Sequence, residues 1–237
     1  LLFLIFFSLT VSSYATTAPV MGFTRDFVTN QPITDATITI VETGQLVKTD
    51  NKGNFGPINW PIGQPITFII AKIGYRTTQS ATVTVPESGL TTPYTMISLQ
   101  PVDIFSFYSL ATIMGKTLDE NKCHVAITIT AYHKTLDDLP QGESGSVISL
   151  TPIPTETPYY FDIYTKGPLK NYPNPFTKGL TETSADGGVI FANLEPSDKL
   201  YLATAIKPNL NFTQISFICR KGMFINISPP QGPMAES

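Results

Sequence analysis

An all-β fold of two immunoglobulin-like or transthyretin-like β-sandwich domains is the architecture this sequence predicts, and three observations predict it. The 237 residues include 32 Thr, 16 Gly and 20 Pro. Thr favours strands, while Gly and Pro favour turns. Short stretches alternate apolar and polar residues, the period-two mark of a strand with one face in the core and one in water. No stretch holds a helical period over three turns. Charged residues make up 14% of the chain and the formal charge is −3, against about 25% charged in an average soluble domain. A nucleic-acid binder carries a basic stripe, which is missing here, so that class is excluded. Apolar residues at 42% with low net charge also exclude an expanded, disordered chain.

The sequence opens on an apolar run, Leu1 to Leu9, broken only by Ser8. Its length fits the apolar centre of a secretory signal, and Ser13 and Ala15 set small residues three and one positions before a cleavage point. A signal peptide over 1–15 is expected. A membrane anchor needs about 20 apolar residues, and Ser12 and Ser13 end this run sooner. The mature chain is therefore expected outside the cytosol, secreted, periplasmic or at a cell surface, and free of the membrane. Its two cysteines, Cys123 and Cys219, are expected to pair as a disulfide in an oxidising compartment. Two free buried thiols or a metal pair are the alternatives, and no CxxC supports the metal.

The strand signals fall into two sets. Residues 36–40, 66–70, 81–85 and 94–99 belong to a first domain over 16–100. Residues 125–130, 146–150, 159–164, 189–192, 200–206, 214–219 and 224–227 belong to a second over 122–237, which ends in a Pro-rich tail. Each set contains an Asp/Asn-Gly turn followed by an aromatic, Asp50-Asn51-Lys52-Gly53-Asn54-Phe55 and Asp186-Gly187-Gly188-Val189-Ile190-Phe191. The Asp side chain caps such a turn and Gly takes its positive φ. A calcium loop needs ligands at alternating positions, and Lys52 and Gly53 stand where ligands belong. Between the sets, 101–121 is too apolar for a loose linker. It is expected to pack between the domains or to add an edge strand.

In the first set, Gly22, Asp26, Thr29, Pro32-Ile33, Ala36 and Ile38 precede Thr49-Asp50, Gly53 and Phe55, with Gly74-Tyr75 later. Residues 17–100 on this pattern resemble the carboxypeptidase regulatory-like domains, a transthyretin-like branch of the immunoglobulin-like sandwiches. The second half is only loosely similar, through its Asp186-Gly187-Gly188 hairpin and Lys207-Pro208, and reads as a divergent immunoglobulin-like domain. The resemblance implies an accessory, non-catalytic role in folding, spacing or recognition.

The chemistry-bearing residues agree with that implication. The only histidines are His124 and His133, and a catalytic zinc usually takes three protein ligands. Nine residues apart on a regular strand, they face opposite sides. His133 with Asp137 and Asp138 is the one set a turn can gather, and it is the basis of a less favoured metal-dependent hydrolase. Ser144 lacks the nucleophile-elbow glycine, since Ser146 stands in its place. No catalytic, cofactor or metal site is expected. The remaining feature is aromatic: Tyr159, Tyr160, Tyr164, Tyr172 and Phe176 lie within 18 residues beside Pro-rich sequence. Exposed tyrosines offer rigid, amphipathic contact area, so these residues form a candidate patch for glycan or a surface or secreted protein. Cover of the inter-domain seam is the alternative. Asn211 and Asn226 each begin a glycosylation sequon. An assembly accessory for another secreted protein is the remaining reading, because open sheet edges accept strands.

Overall fold

The computed structural model describes residues 15–236, so the signal expected over 1–15 lies outside the described residues apart from Ala15. The described chain is all-β, with eighteen strands and one helix. Strands of the first half are β1 Thr17–Thr24, β2 Thr37–Ile40, β3 Leu46–Lys48, β4 Asn54–Pro61, β5 Pro65–Ile66, β6 Phe68–Ala71, β7 Thr78–Gln79, β8 Val83–Thr84 and β9 Ile97–Leu99. After helix α1 Ile104–Met114 come β10 Cys123–Thr128, β11 Val147–Thr151, β12 Tyr159–Tyr160, β13 Asp162–Ile163 and β14 Pro173–Asn174. The last four are β15 Gly188–Leu194, β16 Leu200–Ile206, β17 Ile215–Ile218 and β18 Phe224–Ile227.

Three main sheets result. One has the order β4-β1-β9, a second β11-β16-β17, and between them runs an eight-stranded sheet, β12-β15-β10-β18-β7-β6-β2-β3. The long sheet is continuous across the halves because β18 pairs in parallel with β7, Phe224 opposite Thr78 and Ile225 opposite Gln79. Side-chain hydrogen bonds finish that junction. Gln79 Nε2 donates to the Ile218 carbonyl at 2.9 Å, Arg76 Nη2 to the Gly222 carbonyl at 3.0 Å, and the Ser98 amide to Gln231 Oε1 at 2.8 Å.

Two apolar cores lie against this sheet. Ile38, Ile40, Phe55, Phe68, Ile97 and Leu99 build one, between the β4-β1-β9 sheet and the β6-β2 end. Val125, Ile127, Leu150, Phe191, Phe217 and Ile225 build the other, between the β11-β16-β17 sheet and the β15-β10-β18 end. The motif residues of the first half have local reasons. Asp26 accepts the Val28 and Thr29 amides and the Thr29 hydroxyl, closing a turn. Thr49 Oγ1 accepts from the Ala36 amide and donates to the Ile33 carbonyl. At Gly22 a Cβ would fall 2.2 Å from the Phe55 ring, and at Gly53, with φ +79°, 2.6 Å from the Thr24 carbonyl, so both positions need glycine.

Two expectations are corrected. Residues 104–114 form a helix, where the sequence suggested no helix and an edge strand as one possibility. Asp103 caps it by accepting the Ser106 amide at 2.9 Å, and Gly115 ends it at φ +69°, the usual left-handed C-terminal stop. The helix has no charged residue and is apolar on its exposed side as well, at Ile104, Phe105 and Tyr108. An apolar stripe therefore cannot be told from its opposite face. The second correction follows from the first. β10 was expected to wet one face, but all six of its residues are buried. Phe107 of α1 and Phe27 each pack on Phe224, and Ala126, Phe161 and Ile190 complete a third cluster on the reverse face.

Candidate functional site

The aromatic residues singled out in the sequence occupy a projecting hairpin and its root. The root is β12, which pairs with β15 through Tyr159 opposite Ile190 and Tyr160 opposite Val189. Because this sheet is covered on both faces, Tyr160 enters one core and Phe161 the other. Tyr160 is only 3% exposed, and its hydroxyl oxygen accepts the Ile148 amide of the edge strand β11 at 3.2 Å. Tyr160 is therefore removed from the candidate patch. Tyr160→Phe should cost about 1–2 kcal/mol, because it orphans a buried amide, and should leave any surface binding unchanged. Urea unfolding checks the first part; a weakened ligand affinity would sink the second.

Beyond the root, β13 and β14 pair Asp162 with Asn174 and Ile163 with Pro173. The next step of the ribbon sets Tyr164 opposite Tyr172, with the Tyr164 amide donating to the Tyr172 carbonyl at 3.0 Å and the Asn171 amide to the Tyr164 carbonyl at 2.8 Å. Tyr164 thus faces both Asn171, at φ +71°, and Tyr172, a bulge that brings the backbones of the two tyrosines together. Polar groups brace the ribbon. Thr177 Oγ1 donates to Asp162 Oδ2 at 3.0 Å, Asn174 Nδ2 donates to Thr177 Oγ1 at 3.3 Å, and Asn174 Oδ1 accepts the Phe176 amide at 3.0 Å. The Tyr159 hydroxyl donates to the Pro175 carbonyl at 2.7 Å. Tyr172 is 45% and Phe176 62% exposed, while Tyr159 and Tyr164 are half-buried. The hairpin thus presents aromatic surface on a fixed frame.

One titratable group lies beneath it. Asp186, in the turn before β15, is buried, and burial pushes its carboxyl up to about 7, with the Asp162 charge adding to the effect. Its Oδ2 accepts the Gly188 amide at 3.0 Å. The matching Asp50 of the first half stays in water and accepts the Lys52 and Asn54 amides, both at 2.8 Å, which hold it below the ordinary carboxylate value.

The residues weighed for catalysis are not gathered. Asp137 pairs with Arg25 at 2.5 Å, while Asp138 accepts the Thr135 amide and hydroxyl and pairs with Lys134. His133, at φ +55°, lays its ring on two tyrosines that sequence reasoning passed over: Tyr132 at 4.0 Å and Tyr94 at 5.2 Å between ring centres, with interplanar angles of 16° and 25°. Nothing in the spacing of Tyr94 and His133 signals that contact. His124 is buried on β10, where its Nδ1 accepts the Asn193 amide at 3.2 Å. Burial and the charge of Arg76 lower it to about 4. Lys207 pairs with Glu143 and also donates to the Ser144 carbonyl. Among the described residues no three His, Cys, Asp or Glu side chains come together as a metal site. Cys123 and Cys219 form the expected disulfide. Asn211 is exposed, whereas Asn226 is 1% exposed within β18, which excludes it as an acceptor in the folded chain.

No protein-family model matches the chain, and no curated protein sequence matches it. Among solved structures it is similar to the Bacillus anthracis TIE protein, at 13% identity and a TM-score of 0.26, over 93% of this chain and 34% of that one. The chain thus spans about a third of that protein. It is also similar to the shaft pilin SpaA of Lactobacillus rhamnosus GG, at 12% identity and a TM-score of 0.26, over 94% of this chain and 99% of that one. A streptococcal ancillary pilin matches at 11% identity and a TM-score of 0.24, over 94% and 64% of the two chains. TM-scores of this size do not establish a shared overall arrangement, so the all-β sandwich architecture rests on this chain's own sheets and cores.

Proposed function

We propose that this chain is an exported, non-catalytic recognition protein that binds neutral carbohydrate through the hairpin of residues 162–177. The observation that carries the reading is the hydrogen-bonded approach of Tyr164 and Tyr172 on a ribbon that Asp162, Asn174 and Thr177 brace. Aromatic faces stack on the C–H faces of sugar rings, and fixed tyrosines lose little conformational freedom on binding. A disulfide supports residence outside the cytosol. Among the described residues no helix is long and apolar enough to cross a membrane. In this reading residues 16–100 are a carboxypeptidase regulatory-like module and residues 122–237 a divergent immunoglobulin-like one, joined by 101–121. The test is titration of the purified chain with a panel of neutral polysaccharides. Tyr164→Ala and Tyr172→Ala should each weaken binding about tenfold or more at unchanged melting temperature. Saturable binding that both variants retain would remove the hairpin from the reading.

A second reading is an assembly accessory. It draws on β3, the end strand of the eight-stranded sheet, whose outer edge is open to a partner strand. Capture of one defined secreted partner, lost on Leu46→Pro, whose amide faces away from β2 in this register, would favour it over carbohydrate.

A further inference from the structure

The stack around His133 is the other place where this surface is built rather than left over. Its three rings come from two turns far apart in sequence. Tyr94 sits in the turn 92–95, closed by the Thr95 amide on the Thr92 carbonyl at 2.9 Å and anchored by Gln231 Nε2 on the Met96 carbonyl at 2.7 Å. Tyr132 and His133 sit in a loop closed by the Ala131 amide on the Gln141 carbonyl at 3.0 Å. The imidazole lies nearly parallel to both phenol rings. His133 is the ring that both tyrosines share. A stack that served only to fill the junction between the halves would bury its tyrosines. Here Tyr94 and Tyr132 each remain 49% exposed, so both residues reach solvent.

The same loop carries hydrogen-bonding groups of both kinds. Asp137 is an acceptor whose side chain is 73% exposed, and its partner Arg25 supplies guanidinium donors. Arg25 is steadied by the Phe23 ring, 5.0 Å from its Cζ. The pair is neutral in sum, which suits vicinal hydroxyls better than a charged ligand.

We propose that Tyr94, His133 and Tyr132 form a second stacking site for neutral saccharide, with Arg25 and Asp137 as its hydrogen-bonding partners. This site rests on the reading of the chain as a binder of neutral carbohydrate, but not on the hairpin. A pyranose ring stacks its C–H face on a tyrosine ring, and its hydroxyls meet the ion pair.

The two-histidine composition supplies a local probe. The full chain, labelled with 15N, is titrated with neutral hexasaccharides of glucose, xylose, mannose and N-acetylglucosamine while its histidine side-chain resonances are followed. His133 signals should shift saturably with one of them, and those of buried His124 should not. Tyr132→Ala should abolish that shift and weaken this site about tenfold. Tyr132→Phe, which keeps the ring, should restore it, and Tyr172→Ala should leave it in place. Tyr172-dependent binding with a silent His133 overturns this proposal alone. A His133 shift while Tyr172→Ala leaves the overall saccharide affinity of the chain unchanged supports it and overturns the hairpin instead. No saccharide bound at either place overturns both.

Discussion

Replacing both cysteines by alanine should lower the stability of this protein by about 4–5 kcal/mol. The Cys123–Cys219 disulfide closes a loop between residues 96 apart in sequence. In the chain-entropy account, cross-linking a loop of that length removes about this much free energy's worth of freedom from the unfolded chain. The bond sits where it also joins layers. Cys123 begins β10 of the eight-stranded sheet, Cys219 follows β17 of the facing sheet, and both lie in the core between them. Alanine is apolar and leaves no buried polar group behind, so the double variant isolates the cross-link better than serine would. For a chain of this size the loss corresponds to a melting temperature lower by about 10–15 °C. Denaturant unfolding of the wild type with and without reductant, beside the double variant, measures it. Equal stability of oxidised wild type and double variant would show that the bridge offers no net constraint.

How far the sequence carries depends on which faces meet water. β16, Leu200–Ile206, alternates exposed and buried along its length, and its bounds can be read directly from the residues. β4, Asn54–Pro61, cannot be read so, because Gly56, Pro57 and Pro61 give it the look of a turn. The structure uses Gly56, at φ +90°, where the β1–β4 register shifts between Val20 and Gly22. The helix was hidden by having no charged face and by carrying Ile104, Phe105 and Tyr108 on its exposed side, and what it covers was hidden with it. Tyr160 illustrates the consequence for the site. Alternation marks neighbours of a tyrosine run as inward or outward, but β12 lies in a sheet with a core on each side, so Tyr160 and Phe161 are both inside. Tyr164 and Tyr172 stay at least partly exposed because the hairpin has left that sheet. The His133 stack and the Arg25–Asp137 pair, the latter 112 residues apart in sequence, depend on how distant turns meet, which no local pattern encodes.

The stability of the wild type should change little between about pH 4.5 and 6.5, and this flatness should be a cancellation that single variants expose. Asp186 titrates at about 7 when folded against an ordinary 3.8. Over that interval the folded chain keeps a proton that the unfolded chain has released, so its contribution is complete at low pH and is lost as pH rises to about 7. The gap corresponds to roughly 4 kcal/mol at most. His124 has the opposite sign. It titrates at about 4 when folded against 6.5, so the unfolded chain takes up a proton that the fold refuses. Its contribution, roughly 3 kcal/mol at most, is complete above pH 6.5 and is lost as pH falls toward 4. The carboxylates that hydrogen bonds hold low, such as Asp50 and Asp138, lose their contributions below this window and do not disturb it. Asp186→Asn retains an acceptor for the Gly188 amide and cannot ionise. It should match wild type near pH 4, exceed it by about 2–4 kcal/mol at pH 8, and fall in stability on acidification. His124→Asn keeps an acceptor for the Asn193 amide and should instead gain stability on acidification across the same interval. Urea unfolding at pH 4.5, 6 and 8 separates the three profiles. If the Asp186→Asn profile runs parallel to wild type, the buried carboxyl is not the proton holder, and the cancellation has another source.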